Sequence, residues 1–157
     1  MKKIAFGTVV ITALAITNPT TAQAAYTVKP SVGQCFKHTN AQVSAPYASV
    51  NPISCTKAHN AEIFNLTKWP VSTPPEKMKD ADKLAIADLA CNAFTEAGDG
   101  LLDGTDFNYW AWYTPDPKAW AKGQRWLRCD AMIIKNSKEP YIYISWQGSR
   151  LDAGINA

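Results

Sequence analysis

Apolar residues follow three patterns along this chain: an unbroken run at the start, alternation in several short segments, and a helical stripe near the middle. Alternation is typical of half-buried strands, whereas spacings of three and four residues are typical of a helix with one buried face. The alternating segments predict strands at 34–37, 50–54, 62–68, 107–113, 125–134 and 141–146. In the third, Ile63 and Asn65 are expected on one face of the sheet.

The helical stripe predicts one main helix over residues 74–97. Thr73 is suited to cap its first turn, with Glu76 completing a capping box, and Gly98 is suited to end it. The face toward the core is expected to carry apolar residues at helical spacing, namely Ile86, Leu89, Ala90, Ala93 and Ala97.

A short helical turn is expected at 119–122, closed by Gly123. With one main helix and several short strands, the chain predicts an α+β domain whose mostly antiparallel sheet is covered on one face by the helix. Residues 25–148 are expected to form a single domain, since a chain of this length supports one core. Residues 149–157 hold little apolar surface and are expected to form a flexible tail.

The unbroken apolar run at the start is typical of a secretory signal peptide. Lys2 and Lys3 precede about 13 uncharged residues, 4–16, and the triplet Ala22-Gln23-Ala24 supplies small residues before a cleavage site. We expect cleavage after Ala24, with Ala25 as the second choice. A retained anchor is the alternative, but a spanning helix needs about 20 apolar residues. The protein is therefore expected to be exported, either secreted or kept at the cell envelope.

Net charge narrows the classes of partner. Removal of Lys2 and Lys3 with the signal lowers the formal charge from +3 to +1. Nucleic-acid-binding domains usually carry a strong basic excess, so neither nucleic acids nor anionic membranes are expected as main partners. No second apolar run of spanning length follows the signal, and no stable membrane insertion is expected after cleavage.

All four cysteines lie after the signal, at Cys35, Cys55, Cys91 and Cys129. In an oxidising compartment an even number predicts two disulfides, with three possible pairings. The sequential pairs are favoured, because each half of the domain then closes its own loop. A zinc site is the weaker interpretation, since structural zinc ligands come in close C-x₂₋₄-C pairs and neighbouring cysteines here are at least twenty positions apart.

The motifs around these cysteines resemble a known family. They are Gly33-x-Cys35-Phe36, Cys55-x₃-His59-x₂-Glu62, Cys91 and Trp120-x₂-Gly123-x-Arg125-x₃-Cys129. Over about residues 32–134 they are similar to the septum-formation-related domain of actinobacterial envelope proteins. The resemblance implies an extracytoplasmic location, a link to cell division and no defined enzymatic activity. In the family a membrane helix commonly precedes the domain, whereas here only the short signal does.

His59 and Glu62 are the strongest candidates for chemistry, because a carboxylate beside an imidazole can act as a general base. A nucleophile or a metal would have to join them, and the sequence singles out no serine. A His₂Glu centre of His38, His59 and Glu62 is chemically allowed. The favoured alternative is that His59 hydrogen-bonds locally and fixes the loop behind Cys55. No metal or cofactor is therefore assigned.

Other charged residues favour structural roles. The three aspartates of loop 99–106 lack the spacing of a calcium-binding hand and predict a solvated turn. Arg125 is expected on the Cys129 face of its strand, where a carboxylate of the main helix could pair with it. Trp126 and Arg128 are expected on the opposite face.

Aromatic residues provide the candidate binding surface. A small domain cannot bury both faces of two aromatic strands, and a grouped exposed patch usually marks an interaction site. Flat rings suit sugars and peptides, although aromatic residues also fill cores. The candidates are Tyr109, Trp110, Trp112, Tyr113, Tyr141 and Tyr143.

Together these features predict an exported, non-catalytic module that binds an envelope protein or a cell-wall glycan or peptide, with a link to septum formation implied by the resemblance. The alternative is a secreted hydrolase or metalloenzyme that uses His59 and Glu62. A secreted inhibitor or toxin-like protein also fits the size and the disulfides, but no reactive loop identifies one.

Overall fold

The computed structural model describes residues 29–48, 50–92, 107–135 and 141–149. The predicted signal, the aspartate loop 99–106, the helix beyond Asn92 and the tail beyond Ser149 lie outside these residues. The described elements are β1 (Cys35–Phe36), α1 (Asn40–Val43), β2 (Ala61–Lys68), a 3₁₀ turn (Pro75–Lys77), α2 (Asp80–Cys91), β3 (Phe107–Tyr113), α3 (Pro117–Ala121) and β4 (Trp126–Ile134).

The four strands form one antiparallel sheet in the order β1-β2-β4-β3. The predicted α+β class is therefore confirmed. Every residue of β4 is buried, because this strand has a neighbour on each side and a packed layer on each face. Among the described residues, no helix has the length and apolar character needed to cross a bilayer.

Each face of the sheet has its own apolar cluster. On one face, Trp69, Trp120 and Leu127 pack against Ile86 and Ala90 of α2. The opposite face holds a larger cluster that includes Val43 of α1 and residues from all four strands, among them Phe36, Ile63, Tyr113, Trp126 and Met132. The sheet is thus covered on both faces, where the sequence predicted a helix on one.

Both predicted disulfides are present. Cys35 is bonded to Cys55, which closes a loop against β1, and Cys91 is bonded to Cys129, which fixes the end of α2 to the central strand β4. The sequential pairing expected from the sequence is confirmed.

Helix α2 begins later than predicted, at Asp80, and Lys79 precedes it without a side-chain cap. The capping box assigned to Thr73 and Glu76 is wrong. A residue that precedes proline is disfavoured in the helical region, and Pro74, which precedes Pro75, is extended. The Pro-Pro pair therefore forms a separate 3₁₀ turn instead of the first turn of the helix.

The buried face of α2 also differs from the prediction at one position. Leu89 is 89% exposed, whereas Ala87 and Cys91 are fully buried. The disulfide from Cys91 to Cys129 holds that side of the helix against the sheet, and Ala87 lies one turn earlier on the same side. Leu89 must then point away, so its assignment to the core is wrong.

A β-bulge in β2 changes which side chains share a face. The register with β4 shifts between Ile63 and Asn65, and a bulge adds one residue to the strand. Ile63 therefore lies in the larger cluster, while the Asn65 side chain donates to the Ala90 carbonyl of α2 at 2.7 Å. The expectation that these two residues share a face is wrong.

Two predicted strands reduce to isolated pairs. In 50–54 only Ile53 pairs, with Cys35, since Pro52 has no N–H to give to a ladder. In 141–146, Tyr143 pairs with Ile134 while Trp146 pairs with His59. That segment divides its hydrogen bonds between two partners and forms no continuous strand.

Two short helices complete the fold. Helix α3 lies close to the predicted turn, with Asp116 as its N-cap and Gly123 closing it at φ +89°, a backbone angle that favours glycine. Helix α1 was not predicted from the sequence. Its signal is a capping box, in which the Thr39 side chain and backbone exchange hydrogen bonds with Gln42.

Candidate functional site

A groove of about 760 Å³ runs beside β3, at the edge of the sheet. Three parts of the fold line it: the end of α1 with the loop after it, the first turns of α2, and the middle of β3. The residues that line it include Val43, Ala45, Pro46, Asp80, Lys83, Leu84, Tyr109, Trp110 and Trp112.

The groove opens onto the edge of the sheet and not onto one face of it. Tyr109 and Ala111 point to one face, whereas Trp110 and Trp112 point to the other, yet all four line the same groove. The loop after α1 therefore forms one wall and α2 forms the other, with the edge of β3 between them.

The register shows which backbone groups of β3 face this groove. Ile133 of β4 accepts a hydrogen bond from the Ile144 N–H at 2.9 Å, so its backbone groups point away from β3. Its neighbour Met132 then faces β3, opposite Tyr109, because backbone groups alternate in direction along a strand. The residues whose N–H and C=O groups point outward, away from β4, are Asn108, Trp110 and Trp112, and the last two line the groove.

One end of the groove is acidic. At this end the edge of the sheet is closed by a parallel β-bridge between Tyr47 and Thr114. Burial raises the pKa of the Tyr47 phenol, and the charges of Glu76 and Asp116 raise it further against the opposing charge of Lys83. The Lys83 ammonium lies 2.5 Å from Asp80, which is 97% exposed, and its hydrogen bond and charge lower the pKa of that carboxyl. Two carboxylates thus act on the Tyr47 phenol, and a third is paired with Lys83.

The predicted aromatic surface is divided by the fold. Tyr109, Trp110 and Trp112 are half-buried and line the groove. Tyr141 and Tyr143, also half-buried, pack beside Tyr109 with ring centres 5.4 and 6.0 Å away.

Tyr113 does not belong to this surface. It is fully buried, and its hydroxyl donates to the Val43 carbonyl at 3.4 Å. Burial raises its pKa well above the ordinary value, with a further rise from Asp130 against the lowering effect of Arg128. The assignment of Tyr113 to a binding surface is wrong, because its ring fills the core between the sheet and α1.

Beside Tyr113 lies a buried charge cluster that was not predicted from the sequence. Arg128 donates to Asp130 at 2.7 Å, and His38 Nε2 lies 3.3 Å from the same carboxylate oxygen. All three side chains are almost completely buried. The guanidinium of Arg128 is stacked between the rings of Phe36 and Tyr113, at 4.2 and 4.7 Å. This burial favours a structural role for the cluster.

His59 and Glu62 come together as the sequence suggested. One ligand atom of each, with Cys35 Sγ, lies within 4.8 Å of the others, and His59 and Glu62 are buried. His59 Nδ1 lies 2.8 Å from the Lys57 carbonyl, and its Nε2 has no hydrogen-bond partner among the described residues. His38 is not in this group, because it packs on Asp130. The His38–His59–Glu62 centre is therefore not assembled, and the Cys35 sulfur is held in a disulfide.

The same motif holds the end of the described chain. The backbones of His59 and Trp146 exchange hydrogen bonds of 3.0 and 2.8 Å, and the two rings pack edge to face. Gly148 donates to the Cys55 carbonyl at 2.7 Å, and the Ser149 hydroxyl donates to Glu62. Ser149 was expected in a flexible tail, but it is tied to the start of β2.

The second family motif stabilises the turn after α3. Arg125 donates to the Trp120 carbonyl at 2.6 Å and to the Gln124 carbonyl at 2.7 Å. Its guanidinium lies 3.8 Å from the centre of the Trp120 ring. The predicted ion pair with an acid of α2 is wrong: Arg125 precedes β4, and its side chain folds back onto α3, where carbonyls satisfy it.

Comparisons with known proteins agree with the motifs. The family model described as septum formation matches residues 33–149, which is more than half of the chain. Neither the curated proteins nor the solved structures contain a match. The matched residues include both disulfides, the His59 and Glu62 motif and the edge of β3. The chain therefore belongs to the septum-formation family.

Proposed function

We propose that this protein is an exported, non-catalytic module of the cell envelope that serves cell division by binding an envelope protein or a cell-wall component. The groove beside β3 carries this proposal. It offers half-buried aromatic rings for contact area, together with outward-pointing backbone groups that can orient a ligand. Such a combination of apolar lining and a few polar groups is typical of binding sites.

The extracytoplasmic location rests on the disulfides and the family. Stable disulfides belong to oxidising compartments, and the bonds here join β1 to the loop before β2 and the end of α2 to β4. The N-terminal segment has the charge, length and small-residue triplet of a signal peptide. An actinobacterial envelope is the setting that the resemblance suggests.

Retention on envelope fractions tests this function. The exported protein, purified from a bacterial host that expresses the whole chain, is incubated with isolated actinobacterial cell wall and, separately, with a membrane-protein extract. We expect one fraction to retain it. Ala45→Lys places a charged chain in the groove and should release it, whereas the control Ala121→Lys, at an exposed position on α3, should not. Absence of retention on both fractions would overturn the proposal.

A second candidate function is a hydrolase or metalloenzyme based on His59 and Glu62. The Ser149 hydroxyl on Glu62 supplies the serine that the sequence did not single out, and His59, Glu62 and Cys35 have the side chains of a zinc site. Cys35 could serve as a ligand only after reduction of its disulfide, because a zinc ligand is the thiolate.

Zinc titration and ester hydrolysis decide this candidate. Under it, the oxidised or the reduced protein binds one zinc ion or cleaves an ester, and His59→Gln abolishes that property while His38→Gln preserves it. If His59→Gln lowers only the free energy of unfolding, the motif is structural and the candidate is discarded.

A further inference from the structure

The outer edge of β3 has the features of a strand that accepts a partner. An exposed strand edge is a template for pairing, and proteins usually protect it with lysine, proline or a bulge. The seven residues Phe107–Tyr113 include neither lysine nor proline, and their register with β4 is continuous. Among the described residues, pairing along this edge occurs at Thr114, directly after β3, where it forms a bridge with Tyr47.

The walls of the groove set the size of the partner. The outward-pointing residues from Asn108 to Trp112 span about 13 Å at the usual strand rise, which accommodates about five residues of an extended peptide. The loop after α1 and the first turns of α2 stand on either side of this edge. The β3 edge of a second copy would be flanked by the same two walls, which would meet the walls of the first copy. A single extended segment has no such walls and can enter the groove. The shape therefore favours a peptide.

Side chains of an added strand would meet apolar surface on both sides. Alternate residues of a strand point to opposite faces. One set would lie against Val43 and Tyr109, and the other against Leu84 and Trp110. A peptide with apolar residues on both faces of its middle part thus fits the groove.

The acidic end of the groove adds a charge requirement. Glu76 and Asp116 act on the Tyr47 hydroxyl, and Asp80 lines the groove beside Lys83. Among the charged groups that act on Tyr47 or pair with Lys83, three are carboxylates and one is an ammonium, so this local set is negative at the end where Thr114 closes the edge. We propose that the β3 groove binds an extended peptide as a fifth strand of the sheet, with a lysine or arginine of the peptide at this acidic end.

This inference rests on the proposed function and specifies its ligand as an unfolded segment of an envelope protein. Main-chain hydrogen bonds provide affinity in strand addition, and alternate side chains provide specificity. The segment is identified by its chemistry: extended backbone, an apolar middle and a basic residue at one end.

A peptide library tests the charge requirement. Phage that display random linear decapeptides are selected on the exported protein, and the enriched peptide is synthesised with a fluorescent label for anisotropy titration. We expect sequences with apolar residues and a basic residue at one end. Asp80→Lys should weaken binding about tenfold, since it inverts one charge near the peptide's cation. Lys83→Glu should strengthen it.

Asp82→Lys is the matched control for Asp80→Lys. It makes the same charge change in the same turn of α2, at an exposed residue that does not line the groove. Its effect on the dissociation constant should stay within about twofold. Equal effects of the two variants, or enrichment of peptides without a basic residue, would overturn the charge requirement.

Backbone exchange tests the strand pairing itself. Peptide binding should protect the outward amides of Asn108, Trp110 and Trp112 from hydrogen exchange and leave Tyr109 and Ala111, which already face β4, unchanged. Trp110→Pro removes one outward N–H, and an edge strand tolerates proline at such a position. It should bind the labelled peptide several-fold more weakly than Trp110→Ala, which loses the same ring but keeps the N–H. Binding without amide protection would overturn strand addition.

The outcomes separate this inference from the proposed function. Retention on cell wall that persists in Ala45→Lys, with no peptide selected, overturns strand addition and leaves envelope binding intact. Loss of retention on all fractions overturns the proposed function, whatever peptides are selected. A dimer of the exported protein that Ala45→Lys dissociates would place a second copy in the groove and overturn the peptide.

Discussion

At the scale of single residues, buried charge imposes the strongest constraint on this fold. Arg128 and Asp130 are fully buried on the central strand, with His38 on the same carboxylate oxygen. Removal of ions from water is costly, so each charge depends on its partner. The rings of Phe36 and Tyr113 lie against the Arg128 guanidinium and shield the pair from water.

Asp130→Asn should therefore destabilise the protein severely. The substitution removes the carboxylate charge that pairs with the buried guanidinium of Arg128, and breaking a buried ion pair costs about 3–5 kcal/mol. Urea unfolding of the exported protein measures the change. Asp82→Asn, at an exposed position on α2, should change the free energy of unfolding by less than about 0.5 kcal/mol. A similar value for both variants would contradict the structural role of the cluster.

Tyr113 should make stability sensitive to high pH. Its folded-state pKa is raised well above 10.0 by burial and by Asp130, so above pH 10 the unfolded chain loses this proton first. The free energy of unfolding should then fall as pH rises, by up to about 1.4 kcal/mol per pH unit, while below pH 10 the contribution is fully present.

Urea unfolding of the wild type and of Tyr113→Phe, measured between pH 8 and pH 11, tests this effect. This pH range includes the ordinary tyrosine pKa of about 10. The phenylalanine variant should show a shallower fall. Tyr141→Phe removes a half-buried phenol from the surface and serves as the control. An equal slope in the wild type and Tyr113→Phe would contradict the prediction.

At the residue scale, the sequence could have indicated part of the cluster. Arg128 and Asp130 are two positions apart in a predicted strand, so they share a face and can pair. His38 could not be assigned, because it lies 92 positions from Asp130 and only the sheet order brings them together. The burial of Tyr113 could not be distinguished from that of Tyr109 in the sequence, since both lie on the same face of β3. The difference arises because α1 covers Tyr113.

At the scale of elements, the disulfide decides how α2 lies on the sheet. Helical spacing alone allows several neighbouring stripes to face the core, and Leu89 belongs to one of them. The bond from Cys91 to Cys129 selects the side that carries Ala87, and Ile86 and Ala90 flank it against Trp69, Trp120 and Leu127.

Substitutions on the two sides of α2 should differ sharply. Leu89→Ser lies on the exposed side and should change the free energy of unfolding by less than about 0.5 kcal/mol. Ala87→Leu inserts three carbons where the helix meets the sheet and should cost about 1–3 kcal/mol. Thermal and urea unfolding measure both. A larger loss for Leu89→Ser than for Ala87→Leu would contradict the orientation of the helix.

Most strands were predictable as elements, because alternation is a local signal. Predicted strand 107–113 coincides with β3, and 125–134 differs from β4 by one residue at its start. The start of α2 and the segment 141–146 were not. In one case consecutive prolines prevent a helical turn, and in the other the segment divides its pairing between β4 and His59.

At the scale of the whole molecule, the two disulfides tie the outer elements to the sheet. One joins Cys35 on β1 to the loop that precedes β2, and the other joins α2 to β4. Their loops span 20 and 38 positions. Closure of such loops restricts the unfolded chain, and the restriction grows slowly with loop length.

Removal of either disulfide should lower stability by a comparable amount. Double substitution to alanine should cost about 3 kcal/mol for Cys35 and Cys55, and about 4 kcal/mol for Cys91 and Cys129, on the basis of loop entropy. Urea unfolding at neutral pH compares the two variants with the oxidised wild type. An unchanged free energy of unfolding in either variant would contradict its role as a structural bond.

The sequence by itself determined the α+β class and most of the strands, because these follow from local periodicity. It favoured the sequential pairing of the cysteines among three, and its motifs indicated the family. Tertiary structure alone decided which strand lies at the edge. The strand order depends on contacts between distant segments. It places the aromatic strand 107–113 at the edge of the sheet, between α2 and the loop after α1, with outward-pointing backbone groups. The groove, on which the proposed binding function depends, is therefore formed only by the tertiary structure.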